Sequence, residues 1–287
     1  MSRPRRVRLN GGMSCEAAFR LIASGCLEDV AQNHKPTYAG DPTALHHMRV
    51  ALTRLRAAIS FFSPIVADDE WTRLKSELKW LNGYLGATRD LDVAIDNCRD
   101  PAEERSFRPA RVESQRRLKD ALRSDRYQRW FKELSDWVDN GPWSASQDAR
   151  SARLRASPSS VYHARKLARW HKKLVTQSHG VQRMGKHKRH RLRLASKRLR
   201  YAIEFSEGTL AKHDFSQWRT TMKQLRKAQQ ILGELNDAEI HRSLATGLEH
   251  PRENVSGHDP EHAKLSDSRK KHRLLRRAAI VYRKIAG

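Results

Sequence analysis

Only three cysteines, Cys15, Cys26 and Cys98, occur among 287 residues, and no two of them form a CxxC pair. That scarcity excludes a disulfide framework and a cysteine-based redox or zinc motif, and it fits a reducing compartment. Apolar runs are short as well: nowhere does the chain reach the roughly 18 uncharged residues that a bilayer-spanning helix needs. The basic opening, MSRPRRVRLNGG, leads into an amphipathic stretch carrying Glu16, Arg20, Glu28 and Asp29, not into the apolar core of a secretory leader. A soluble, cytoplasmic protein without a membrane partner is expected. Acid is in short supply, with 32 Asp and Glu against 57 Lys and Arg, a formal net charge of +25, and 14 His in reserve below neutral pH. Self-repulsion on this scale opposes the compact state, so a polyanionic partner is expected; charge alone does not separate nucleic acid, an acidic membrane surface and other polyanions. The phosphate-loop, dinucleotide and zincin signatures GxxxxGK[ST], GxGxxG and HExxH are missing too.

What is present is helical periodicity. Apolar residues recur at three- and four-residue spacing, while the β-branched alternation of strands is nearly lacking. Ser14 is a capping residue for a first helix to about Asn33, stopping before His34-Lys35-Pro36, and Asp41-Pro42 opens a second that runs to about Ser63-Pro64. A third carries Trp71, Leu74, Leu78, Leu81 and Leu85 on one stripe, with further helices near 102–123 and 126–139. Periodicity lapses over 140–158, which reads as a linker, and resumes in helices near 160–178, 184–206, 214–246 and 261–285.

An internal repeat spans that linker. HHMRVALTRLRAAISFF, from His46, aligns with HRLRLASKRLRYAIEFS, from His190; Trp71 followed by LGATRDLD at 85–92 aligns with Trp218 followed by LGELNDAE at 232–239. Duplication is the simplest account, giving an all-α protein of two related four-helix bundles about a pseudo-twofold axis. The expected organisation is a basic tail over 1–13, a first bundle over 14–139, the linker 140–158, and a second bundle over 159–287.

At 100° per residue, Leu45, Met48, Leu52, Leu55, Ile59 and Phe62 share the core side of the first motif helix. His46, Arg49, Thr53 and Arg56 fall opposite, flanked by Arg54; His190, Arg193, Lys197 and Arg200, flanked by Arg198, repeat the pattern. Lys186, Arg189 and Arg191 extend the second ridge toward its N-terminus. Like charges side by side on a helix cost roughly 0.2–0.5 kcal/mol per pair. A solvated face is the ordinary reading of one such stretch; two copies of the same unfavourable ridge favour a binding role. Facing one another, the ridges would line a basic central cleft suited to an extended polyanion.

These residues carry a resemblance. HxxRVxxxRLR and HxxRLxxKRLRY, each followed by a Trp-led helix and LGxxxD, resemble the CHAD family, the conserved-histidine α-helical domain, over nearly the whole chain, with Gly141-Pro142-Trp143 just before the linker. The resemblance implies two four-helix bundles, a basic cavity and binding of inorganic polyphosphate, without a cofactor, by a non-catalytic scaffold or a protein of cytoplasmic polyphosphate granules. Its implied contacts are His46, Arg49, Arg54 and Arg56 in the first copy, and His190, Arg193, Lys197, Arg198 and Arg200 in the second. Thr53 departs from the family's usual basic residue, and Asn236 stands where the first copy has Arg89. The catalytic CYTH-like segment found in some relatives is not recognisable ahead of the domain.

Lys75, Lys79, Asn82 and Gly86 share a face of the third helix and offer a second row, with Arg226 matching Lys79. Asp90 and Asp237 occupy matching places and read as partners that orient a motif arginine. The motif histidines have cations three and seven residues on, which opposes a metal site. The tryptophans sit mostly among leucines and read as core. Two alternatives stand beside polyphosphate: a nucleic-acid-binding basic protein, to which weak non-specific binding would belong, and a metal-dependent phosphoryl-transfer enzyme. Against the first is the lack of exposed aromatics among the motif cations.

Overall fold

A computed structural model describes residues 9–98, 100–248 and 260–287. Of the basic tail expected over 1–13, residues 1–8 lie outside the described residues. The protein is all-α; among the described residues there is no strand, only an isolated bridge between Ser14 and Pro158. No helix of the described residues is long and apolar enough to cross a membrane.

Most helix starts follow from short polar residues that satisfy the first free amides. Ser14 accepts from Ala17 N–H to open α1 (Cys15–Ala39), and Asp41 accepts from Thr43 and Ala44 to open α2 (Pro42–Phe61), with Pro42 in its first turn. After a single turn, α3 (Ser63–Val66), Asp68 caps α4 (Asp69–Asn97), Asp100 caps α5 (Pro101–Arg123) and Ser124 caps α6 (Asp125–Asn140). Two short helices follow, α7 (Pro142–Ala145) and α8 (Ala149–Ala156), then α9 (Ser159–Ser178), a 3-10 turn at Val181–Arg183, α10 (Lys186–Phe205), α11 (Lys212–Leu248) and α12 (Pro260–Ala286).

Two sequence expectations need correction. The first helix does not stop at Asn33 but runs through Pro36 to Ala39. Proline removes one ladder bond, and other helices hold the last turns instead. His34 stacks on Tyr127 at 5.0 Å and bonds Leu122 O, and Gln115 donates to Thr37 O at 3.1 Å. Gly40, at φ +104°, then turns the chain. Nor is 140–158 without structure: Trp143 is buried, and the buried Arg155 of α8 donates to Trp143 O at 3.0 Å and Ser146 O at 2.6 Å. The pattern is too short and too polar to show as periodicity.

The chain divides into two compact units, Met1–Leu167 with Tyr201–Lys212, and Ala168–Arg200 with His213–Gly287. In the first, α1 packs along α2, α4 along α5, and α6 against all but α2 of these. Its core is aromatic: Phe19 meets Phe62, Trp137 and Trp143 edge-on, and Phe62 stacks on Tyr162 at 5.4 Å. Leu45, Met48, Leu52, Leu55, Ile59 and Phe62 are all buried, as their spacing predicts. Asp68 ties this core together, because the carboxylate that caps α4 also accepts from Trp137 Nε1 (3.0 Å) and from Trp143 N–H (3.2 Å). In the second unit, Leu192 and Leu199 of α10, Leu225 and Ile231 of α11, and Leu274 and Ile285 of α12 are buried. Ser196 hydrogen-bonds Tyr282 at 2.7 Å, and His171 bonds Ile285 O.

Asp68→Ala removes a cap, worth about 1 kcal/mol, and strands buried N–H donors at about 1–3 kcal/mol. A stability loss of roughly 2–4 kcal/mol by urea denaturation is expected, with a smaller loss for Asp68→Asn. His163, fully buried with Nδ1 2.8 Å from Ser206 Oγ, has its imidazole pKa pushed down by burial to about 3. The unfolded chain therefore takes up a proton at this residue, from an ordinary pKa near 6.5, that the fold refuses. Stability from this group falls as pH drops through about 6 toward 4, by up to about 1.4 kcal/mol per pH unit. His163→Gln should flatten the acid limb of stability against pH relative to the parent; an unchanged slope contradicts this.

Candidate anion-binding site

The repeated motifs occupy α2 and α4 in one copy and α10 and α11 in the other. On α2, His46 and Arg56 are exposed, and His46 lies 6.0 Å from the ring of His47. Arg49 is half-buried and donates to Leu85 O of α4 at 2.8 Å. The guanidinium passes close to Gly86, where a Cβ would lie 3.4 Å from it, in van der Waals contact. Thr53, the motif's departure from a cation, turns its hydroxyl back onto Arg49 O at 2.8 Å. On α4, Lys75 and Lys79 are exposed, while Asn82 bonds Leu78 O within its own helix.

Arg54 differs from its neighbours. Its guanidinium is 2.8 Å from Glu204 and lies over the rings of Tyr201 and Phe205, with 18% of the side chain exposed. It is enclosed beside the core, where its positive charge works against the desolvation that pushes the thiol of buried Cys26 up to about 12. Helical-wheel reasoning sees Arg54 as a flank of the ridge, because the partner that draws it inward lies far along the chain.

In the second unit, His190 and Arg198 are exposed and Arg193, Lys197 and Arg200 half-buried. Arg200 donates to Gln229 Oε1 of α11 at 2.9 Å, and Gln229 in turn donates to Ser196 O. Arg226 is exposed, near Met222. Arg193 keeps its Nε shielded from solvent with no hydrogen-bond partner among the described residues.

A cavity of about 230 Å³ opens here between the start of α10 and the middle of α11. Lys186, His187, Arg189, His190 and Arg193 line it from α10; Leu232, Leu235, Asn236 and Glu239 line it from α11. These last four, at i, i+3, i+4 and i+7, share one face. Asn236 and Glu239 are part of the repeated LGxxxD segment, so the register was legible, yet attention to Asp237 passes over Glu239 one turn face away. Arg189, expected as an exposed extension of the ridge, is buried: it donates to Met184 O at 2.7 Å and to Glu239 Oε1 at 2.5 Å, with Lys186 at 4.0 Å from the same carboxylate.

The electrostatics of this helix start are inverted. The positive end of a helix dipole ordinarily attracts acids, each worth about 0.3–1 kcal/mol. Acids do open α1, α4, α5 and α6, but α10 has none in its first turn and instead begins Lys186-His187-Lys188-Arg189. Free amides, the dipole and a cluster of cations converge at one place, an arrangement relieved by an anion.

The two ways of fixing an arginine differ in their consequences. Arg54→Ala removes the ion pair to Glu204 and the cation–ring contacts with Tyr201 and Phe205 beside the core, and should cost roughly 2–4 kcal/mol in denaturant unfolding. Arg198→Ala, fully on the surface, should shift stability by no more than about 0.5 kcal/mol.

The CHAD domain family model matches residues 21–246. The structure is similar to the crystal structure of the CHAD domain from the plant Ricinus communis, with 26% identity, a TM-score of 0.75, and coverage of 97% of this chain and 91% of that one. It is similar in fold to PptA from Streptomyces chartreusis at 14% identity and a TM-score of 0.62, over 95% of this chain and 99% of that one. Among curated proteins no significant match is found.

Proposed function

The chain belongs to the CHAD domain family, and on that premise we propose that it binds inorganic polyphosphate through the cations of its two motif copies, as a non-catalytic scaffold. The observation that carries this reading is the cavity at the start of α10, where five cationic or protonatable side chains face one carboxylate, and that carboxylate is already held by Arg189. Such a site recognises repeated phosphate oxygens without reading anything else about the ligand. Arginine suits it, since its planar fork grips two phosphate oxygens at once. Imidazoles such as His190 can donate a ring N–H to phosphate oxygens.

Nucleic acid offers the same backbone charge, but its single-strand readers stack bases on open aromatic rings. None of the tryptophans, tyrosines or phenylalanines here is exposed, which supports the slimmer polymer. A protein of this kind would act in the cytoplasm, where polyphosphate granules form.

Replacing Arg49 and Arg193 together by Glu should abolish polyphosphate binding while far-ultraviolet circular dichroism stays unchanged. In the parent, log affinity should fall steeply and linearly with log salt concentration, because each phosphate contact releases a condensed counterion. Normal binding by the double variant, or a flat salt response, would overturn the reading.

A further inference from the structure

Glu239 is out of place in a site for a polyanion. Among the described residues it is the one carboxylate lining the α10–α11 cavity, with 16% of its side chain exposed, and it faces the same space as His190, Arg193 and Asn236. If the cavity served only to collect negative charge, an acid there would subtract from it. The Arg189 contact accounts for one oxygen, Oε1; the second, Oε2, has Lys186 Nζ only at 4.0 Å. A carboxylate oxygen can only accept hydrogen bonds. A phosphate group that meets it favourably has to bring a proton.

Polyphosphate contains two kinds of phosphate that differ in this respect. Internal groups are singly charged and have no proton to give near neutral pH. A terminal group has a second ionisation near pH 6, as phosphate monoesters do, so part of the population keeps a P–OH. Such a group can donate O–H to Glu239 while its remaining oxygens accept from His190, Arg193, Lys186 and the Asn236 amide. The short O–H···O⁻ bond that results is of the charge-assisted class. An internal group in the same place would set a bare oxygen against the carboxylate. We infer that the α10–α11 cavity is a chain-end site, which takes the protonated terminal phosphate of a polyphosphate in preference to an internal one. The inference rests on the polyphosphate reading above. The exposed cations elsewhere on the motif helices then serve internal groups, and the cavity fixes where the polymer begins.

The test uses the full chain and two short polyphosphates of equal length, one with free ends and one with both ends blocked as morpholidates, which have no O–H or N–H to donate, each measured by displacement of labelled long-chain polyphosphate. Near pH 6 the free-ended form should bind roughly ten-fold more tightly, the worth of one charge-assisted hydrogen bond. Its advantage should shrink as pH rises to about 8.5 and the terminal proton is lost. Simple charge attraction has the opposite sign, since a free end gains negative charge over that range. The other polar groups of the cavity, His187, His190, Lys186, Arg189 and Arg193, meet free and blocked ligands alike, so they drop out of the comparison. In Glu239→Gln the advantage should be lost near pH 6 and should grow with pH, following charge alone. Equal binding of the two ligands by the parent, or an advantage that grows with pH, overturns the chain-end site and leaves the polyphosphate reading standing. Failure of the labelled long chain to bind at all overturns both.

Discussion

Twenty-five uncompensated positive charges are the constraint that the rest of this structure has to satisfy. Acids are too few to neutralise the cations, so where each acid is placed decides which cations remain available. Several are used on the outer faces of the first unit: Glu133 holds Arg73, Glu77 holds Arg126, and Glu113 holds both Arg116 and Arg117. Exposed pairs of this kind contribute little to stability individually, but they lower the repulsion along α4 and α5. Two other acids are placed beside enclosed arginines, Glu204 with the half-buried Arg54 and Glu239 with the buried Arg189. At both places the acid offsets the charge that would be most costly to bury, and the cations nearer the solvent are not neutralised by these two acids.

The core tolerates this loading because it is tied by groups that serve several purposes at once. Asp68 caps α4 and holds two tryptophans; Gln229 fixes Arg200 and reaches back to α10; Tyr162, stacked on Phe62, donates its hydroxyl to Phe61 O at 2.6 Å. Rigid helices let cations stand at three- and four-residue intervals without collapsing onto each other. A mobile loop of the same composition would spread away from itself and would have to be ordered on binding, at a cost in entropy.

Much of this was legible in the sequence, for a specific reason. Residues whose neighbours are local, such as the stripe from Leu45 to Phe62 or the caps Ser14 and Asp41, announce themselves through spacing and type. Residues whose partners are distant do not. The continuation of α1 past Pro36 depends on Tyr127 and Gln115, the inward turn of Arg54 on Glu204, and the burial of Arg189 on Glu239. For the first the pattern ended the helix too early; for the two arginines it gave the right element and the wrong surroundings. The one-letter difference between Asp237 and Glu239 as candidates was likewise decided by register: only the latter stands on the face of α11 with Leu232 and Leu235.

The measurement that tests the central claim most directly is competition at near-physiological salt. Labelled long-chain polyphosphate bound to the purified protein would be challenged with single-stranded DNA, duplex DNA and RNA, all expressed as phosphate concentration. Displacement only at large phosphate excess is the result this account predicts, since the proposed site would take a bare phosphate polymer. Displacement at equal phosphate would contradict it, and would show the surplus charge acting as a general sink for polyanions.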